Sequence, residues 1–204
     1  MPRSATSPRK RPRQARARET VEAILAAATQ LLERGGYGKL TTNRIAERAG
    51  VSIGSLYEYF PNKDAVVIAI MERCLDEQFA AFASVMHEVQ GARLEEAVRR
   101  SIEVVVASKR ERPQLIRALA TTAPPGPRQR FLRRWNQRAC EMVLSLLGGR
   151  DDLAGHPDLE LTVFIVVNAV YGVMDAVIDE RPELLEDDRL IEELTSLALG
   201  YLGR

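Results

Sequence analysis

Apolar residues recur along this chain at helical spacing, and no segment shows the two-residue alternation of a half-buried strand. In the first clear segment Val21, Ile24, Leu25, Ala28, Leu31 and Leu32 share one face. That pattern predicts a helix from about Ala15 to Arg34, stopped by Gly35-Gly36. Two short helices follow. Thr41 is a good N-cap for Thr42–Arg48, with Ile45, Ala46 and Ala49 turned inward, and Gly50 closes the helix because glycine enters the left-handed region at least cost. Ser52 caps a third helix that ends near Tyr59. After the break at Pro61-Asn62, a fourth helix runs from Lys63 to about Val89, with Ala65, Ile68, Leu75, Phe79, Phe82 and Met86 as core positions. Further helices are predicted at about 92–110, 113–121, 127–147, 158–180 and 187–202. Pro113 suits a first turn, Pro124-Pro125-Gly126-Pro127 reads as a loop, and Gly148-Gly149 and Pro157 punctuate the rest. The expectation is an all-α fold of nine helices.

Charge changes this picture at one end. The net charge is only +1, yet Arg3, Arg9, Lys10, Arg11, Arg13, Arg16 and Arg18 stand against a single acid, Glu19, in the first twenty residues. The remainder is mildly acidic. With prolines at 2, 8 and 12, residues 1–14 are expected to form a flexible basic arm. Such an arm meets a polyanion or is simply solvated. If it meets DNA, Arg9, Arg11 and Arg13 are the contacts expected.

Other chemistry is sparse. Cys74 and Cys140 form neither a disulfide framework nor a metal-ligand spacing, and the two histidines, His87 and His156, have no ligand cluster around them. No phosphate-binding glycine loop appears. Neither an enzyme nor a bound metal or cofactor is expected. Leu161–Ile178 is apolar but short for a bilayer span and holds Asn168 and Asp175. It reads as a buried helix of a cytoplasmic protein, with no membrane partner and no signal peptide.

Residues 41–60, TTNRIAERAGVSIGSLYEYF, describe two short helices joined by a glycine turn. The second carries small side chains at Ser52, Gly54 and Ser55 that permit close approach to another surface. This is the outline of a helix-turn-helix, whose second helix fits a major groove about 12 Å wide. The string VSIGSLYEYFPNKDAV closely resembles the DNA-binding domain of the TetR family of repressors, as does LLERGGYGKLTTNRIA before it. The tail DERPELLEDDRLIEELTSLALGYL is similar to C-terminal segments of that family, less specifically.

The resemblance implies a helix-turn-helix domain over 15–62 and a ligand-binding and dimerisation domain over 63–204. It implies that Thr42 bonds a phosphate, and that Asn43 beside it reaches phosphate or a base edge. Ser52, Ile53, Gly54 and Ser55 would face the groove. Tyr57, Tyr59 and Lys63 would touch the backbone, Lys63 from a helix N-terminus suited to anions. Phe60 reads as core, and Tyr57 as a packed ring with a free hydroxyl. The third helix has no Arg, Lys, Gln or Asn, the usual base readers. Specificity would then rest on Ile53 against a thymine methyl, on Asn43, on the arm or on DNA shape.

Two features of 63–204 bear on regulation. The 158–180 helix is apolar nearly all round and must be covered on more than one face. A homodimer would cover it, through Phe164 and Val167 together with Leu190, Leu194, Leu197 and Tyr201 of the last helix. Phe79, Phe82, Met86, His87, Trp135, Met142, Asn168 and Tyr171 interrupt apolar helices with polar or aromatic groups, as in sites for a small apolar or aromatic effector. Singly each is also an ordinary core residue. A buried Asn168 needs partners, either in a ligand or in its own counterpart across a dimer. The overall expectation is a dimeric repressor that binds a double-stranded DNA operator and is released by an effector, with a ligand-independent regulator or a small-molecule carrier as alternatives.

Overall fold

The computed structural model describes residues 11–89, 91–120, 125–153 and 156–203, and the side chains among them except those at 11–14, 120 and 125–131. Every regular element among the described residues is a helix. The helices are α1 (Arg11–Gly35), α2 (Thr42–Ala49), α3 (Ile53–Tyr59), α4 (Lys63–Glu88), α5 (Leu94–Arg110), α6 (Pro113–Ala120), α7 (Pro125–Leu147), α8 (Leu159–Glu180) and α9 (Arg189–Leu202). Short 3-10 turns at Tyr37–Lys39, Asp151–Leu153 and Pro182–Glu186 join them. The all-α, nine-helix expectation therefore holds.

α1 is described from Arg11, so the backbone of the expected arm is helical from that point, and α7 is described from Pro125, inside the expected loop. Arg9 lies outside the described residues.

The chain divides into two compact units, one ending at Ile70 and the other beginning at Met71. The division falls inside α4, whose first turns bury Val66, Val67 and Ile70. The first unit closes around Ile24, Ala28, Leu32, Leu40, Ile45 and Leu56. The second is built on α5, α7, α8 and α9, with Val106, Leu147, Val163 and Met174 at its centre.

α8 is long and apolar enough to cross a membrane by length and composition alone. However, Val163, Val166, Val167, Val170, Met174, Val177 and Ile178 pack it into the core of the second unit.

Candidate functional sites

The first unit builds a surface from local signals. Thr41 Oγ1 accepts from the Arg44 N–H at 3.3 Å and opens α2. Gly50, at φ 68°, turns the chain in the left-handed region. Ser52 Oγ accepts from the Ser55 N–H at 3.0 Å and opens α3. Leu56 and Phe60 anchor α3 from beneath, as expected for Phe60. The opposite side stands in solvent: Ser52, Ile53, Gly54, Tyr57 and Tyr59 are exposed and Ser55 is half-buried. A β-carbon added at Gly54 would meet only Ser52 Oγ, at 3.7 Å. Nothing inside the fold demands glycine there.

Polar groups flank this face. The Thr42 and Tyr57 hydroxyls lie 3.1 Å apart, so the end of α2 and the side of α3 present two hydroxyls together. Asn43 is exposed beside them. Asn62 Oδ1 accepts from the Ala65 N–H at 2.9 Å and caps α4. Lys63 Nζ lies 3.8 Å from the centre of the Tyr37 ring, a cation–π contact that holds the ammonium at the helix N-terminus. The Tyr37 hydroxyl donates to Asp64, and this bond, with burial, pushes its pKa up to about 12. Tyr37 was not among the expected site residues. Its only trace in the sequence is an aromatic among the glycines of GGYGKL.

The second unit leaves two hollows, each partly open to its surface. A narrow apolar hollow of about 90 Å³ is lined by Phe79, Phe82, Met142, Val143, Val170 and Tyr171 among others. A larger one of about 310 Å³ is lined by residues that include Cys74, Gln78, Lys109, Arg112, Trp135 and Asp175. Gln78 and Tyr171 line both. Gln78 Nε2 donates to the Tyr171 hydroxyl at 2.8 Å, and the bond lies between the two hollows. Burial pushes the Tyr171 phenol pKa upward. The Trp135 ring meets Tyr171 edge-on, with centroids 3.8 Å apart, and stacks on Phe79 at 6.4 Å.

Of the expected ligand residues, Phe79, Phe82, Trp135, Met142 and Tyr171 thus line hollows. Three others line neither of these hollows. Met86 is half-buried outside both walls. His87 is exposed, because its apolar sequence neighbours lie on other faces of α4. Asn168 is exposed on the outside of α8, where its Nδ2 donates to the Phe164 carbonyl and its Oδ1 accepts from Asn136 Nδ2, both at 2.7 Å. It needs no ligand to satisfy it. Gln78 and Lys109 were missed. Gln78 had a signal, a polar residue at a core position of α4, whereas Lys109 had none.

The expected dimer residues also separate. Val167 and Leu194, 5% and 2% exposed, lie in the core of the second unit. The inward row of α9 is Ile191, Leu194, Ala198 and Leu202. The next row carries Leu197, which is exposed, and Leu190 and Tyr201, which are half-buried. On α8, Leu161, Phe164 and Val173 stand in solvent. Among the described residues no cluster of His, Cys, Asp and Glu has the arrangement to hold a metal ion.

Comparison with known proteins places this geometry. Residues 24–70 match the model of the bacterial regulatory proteins of the tetR family, and residues 94–202 match the tetracyclin repressor-like C-terminal domain. The chain is 27% identical to the HTH-type transcriptional regulator EthR of Mycolicibacterium smegmatis over 187 residues, covering 88% of this chain and 84% of that one. A TetR-family transcriptional regulator from Streptomyces coelicolor superposes with a TM-score of 0.65 at 26% identity, covering 91% of this chain and 98% of the other. The SmeT–triclosan complex shares the fold with a TM-score of 0.66 at 22% identity, covering 89% and 90% of the two chains. With both domains matched, an exposed α3 and a helical second unit with hollows between its helices, the chain belongs to the TetR family of bacterial DNA-binding transcriptional regulators.

Proposed function

We propose that the protein is a homodimeric repressor that binds its operator through α3 and is released when a small effector enters the hollows of the second unit. The observation that carries this reading is the span of α4. One helix holds Lys63 in its first turn and Gln78, Phe79 and Phe82 in the cavity walls. An occupant that favours one position of α4 changes how Lys63 and α3 meet the duplex. It shifts the balance only by its differential affinity for the two positions. Ser52, Ile53, Gly54 and Ser55 face the major groove in this reading, while Thr42, Asn43, Tyr57, Tyr59 and Lys63 hold phosphates. Arg9, Arg11 and Arg13 add charge contacts beyond them.

Dimerisation uses the exposed row of Leu161, Phe164, Val173 and Leu197, with Leu190 and Tyr201 at its margin. Two-fold symmetry then sets the recognition helices about 34–36 Å apart. SmeT, solved as a complex with triclosan, supports an effector in this fold.

The test is operator affinity titrated against effectors found by screening. Val143→Phe narrows the apolar hollow. It should weaken the response about tenfold while effector-free operator affinity stays within about twofold, as for a modest overpacking change. An unchanged response in that variant would remove these hollows as the effector site. Tight operator binding insensitive to every compound would favour a ligand-independent regulator.

A further inference from the structure

The two hollows differ in what their walls ask of an occupant. The narrow one is apolar apart from Gln78, Ser101 and Tyr171. The wider one contains donors left unsatisfied. Lys109, half-buried on α5, has no hydrogen-bond or ion-pair partner among the described residues, although the charge of Asp175 acts on it from the same wall. Burial pushes the pKa of its ammonium down, against the pull of Asp175. Trp135 lines the same hollow at 8% exposure, and its buried Nε1 has no acceptor among the described residues.

No acid of that wall makes a hydrogen bond or ion pair to either donor among the described residues. Glu77 is 3.1 Å from Arg73, Asp175 already has a partner, and Glu111 is exposed. The wall therefore offers an ammonium and an indole N–H without acceptors to match them. A buried donor left unmade is costly, and a buried charge more so. An occupant with acceptor oxygens and a negative charge would relieve both.

We propose that the effector is an amphiphilic carboxylic acid. Its carboxylate pairs with Lys109 and accepts from Trp135 Nε1 in the wider hollow. Its apolar tail passes the Gln78–Tyr171 bond and fills the narrow hollow beside Phe79, Phe82 and Val170. This rests on the ligand-responsive reading above and adds the chemistry of the head group to it. Pairing works here because the partner charge is already desolvated, so the cost falls on the ligand alone.

The experiment is calorimetric titration of the full-length protein with decanoate, decanol and decylamine, three probes that share a tail and differ in the head. Decanoate should bind at least about tenfold more tightly than decanol, about 1.4 kcal/mol. Decylamine should bind most weakly. Lys109→Met should abolish the advantage of decanoate and leave decanol within about twofold, and Lys109→Arg should restore it. Trp135 is the single tryptophan of the chain. Its emission should therefore shift saturably with decanoate in the unsubstituted protein, which locates the ligand even where a variant folds poorly.

Equal affinity for decanoate and decanol overturns the proposal, as does preference for the amine, and both leave the hollows standing as an effector site. Binding that leaves Trp135 emission unchanged, or a carboxylate preference that survives Lys109→Met, also overturns it. Failure of all three probes to bind overturns the head-group assignment and removes support from the ligand-responsive reading together.

Discussion

In the first unit, the groups fit for recognition stand outside a closed core: Ser52, Ile53, Gly54, Tyr57 and Tyr59 project from α3 while Leu56 and Phe60 hold it down. In the second unit the arrangement is inverted, with Gln78, Trp135, Tyr171 and Lys109 in the walls of a hollow between helices. In the proposed reading the difference follows from the two kinds of partner. A duplex is too large to enclose and must be met by a rigid convex element, with polar groups fixed by caps. A small molecule is bound by enclosure, which requires that packing be left incomplete. On that reading the first unit can be close-packed without loss of function, whereas the second gives up some packing for space.

α8 and α9 carry the same contrast on a smaller scale, and the largest expected effect tests it. Leu194 is 2% exposed and Leu197 41%, although they stand three residues apart on α9. Leu194→Glu buries a charge in the core and should cost more than about 4 kcal/mol. Circular dichroism should then show an unfolded second unit. Leu197→Glu should keep its helicity and melting temperature yet sediment as a monomer, with operator affinity lower by on the order of a hundredfold because the two half-sites no longer act together. Equal loss of fold in both variants would erase the distinction between the inner and outer rows.

The next effect concerns the first unit alone. Lys63→Ala should weaken specific and non-specific duplex binding alike and reduce the salt slope by about one unit, the signature of one phosphate contact. A slope equal to that of the unsubstituted protein would mean that the cation–π contact with Tyr37 is structural only.

The smallest is Gly54→Ala. Because a β-carbon there meets nothing closer than 3.7 Å, alanine should stabilise α3 by about 0.5–1 kcal/mol. If α3 lies against the duplex, operator affinity should fall at the same time. A gain in stability with unchanged affinity would take Gly54 out of the groove.

The two units were unequally legible in the sequence. Thr41, Gly50 and Ser52 fixed the ends of α2 and α3 because caps act within three residues and depend on little else. The site followed from those boundaries. In the second unit, helices were readable but faces were not. α8 is apolar nearly all round, so its pattern has no direction, and Val167 and Phe164 read alike although one is in the core and the other in solvent. Asn168 looked like a buried amide for the same reason. Lys109 was invisible, since a lysine near the end of α5 ordinarily reads as solvated, and only the packing of α4, α7 and α8 around it makes it a wall residue. Internal space is a property of how helices meet, and no local pattern encodes it.

The composition of α4 sets how it behaves mechanically. Between Lys63 and Gln78 it contains neither glycine nor proline, the usual seats of a kink. At 1.5 Å per residue those positions are about 22 Å apart along the axis. A segment without a joint behaves as a lever, and a tilt of about 5° imposed at one end carries the other roughly 2 Å.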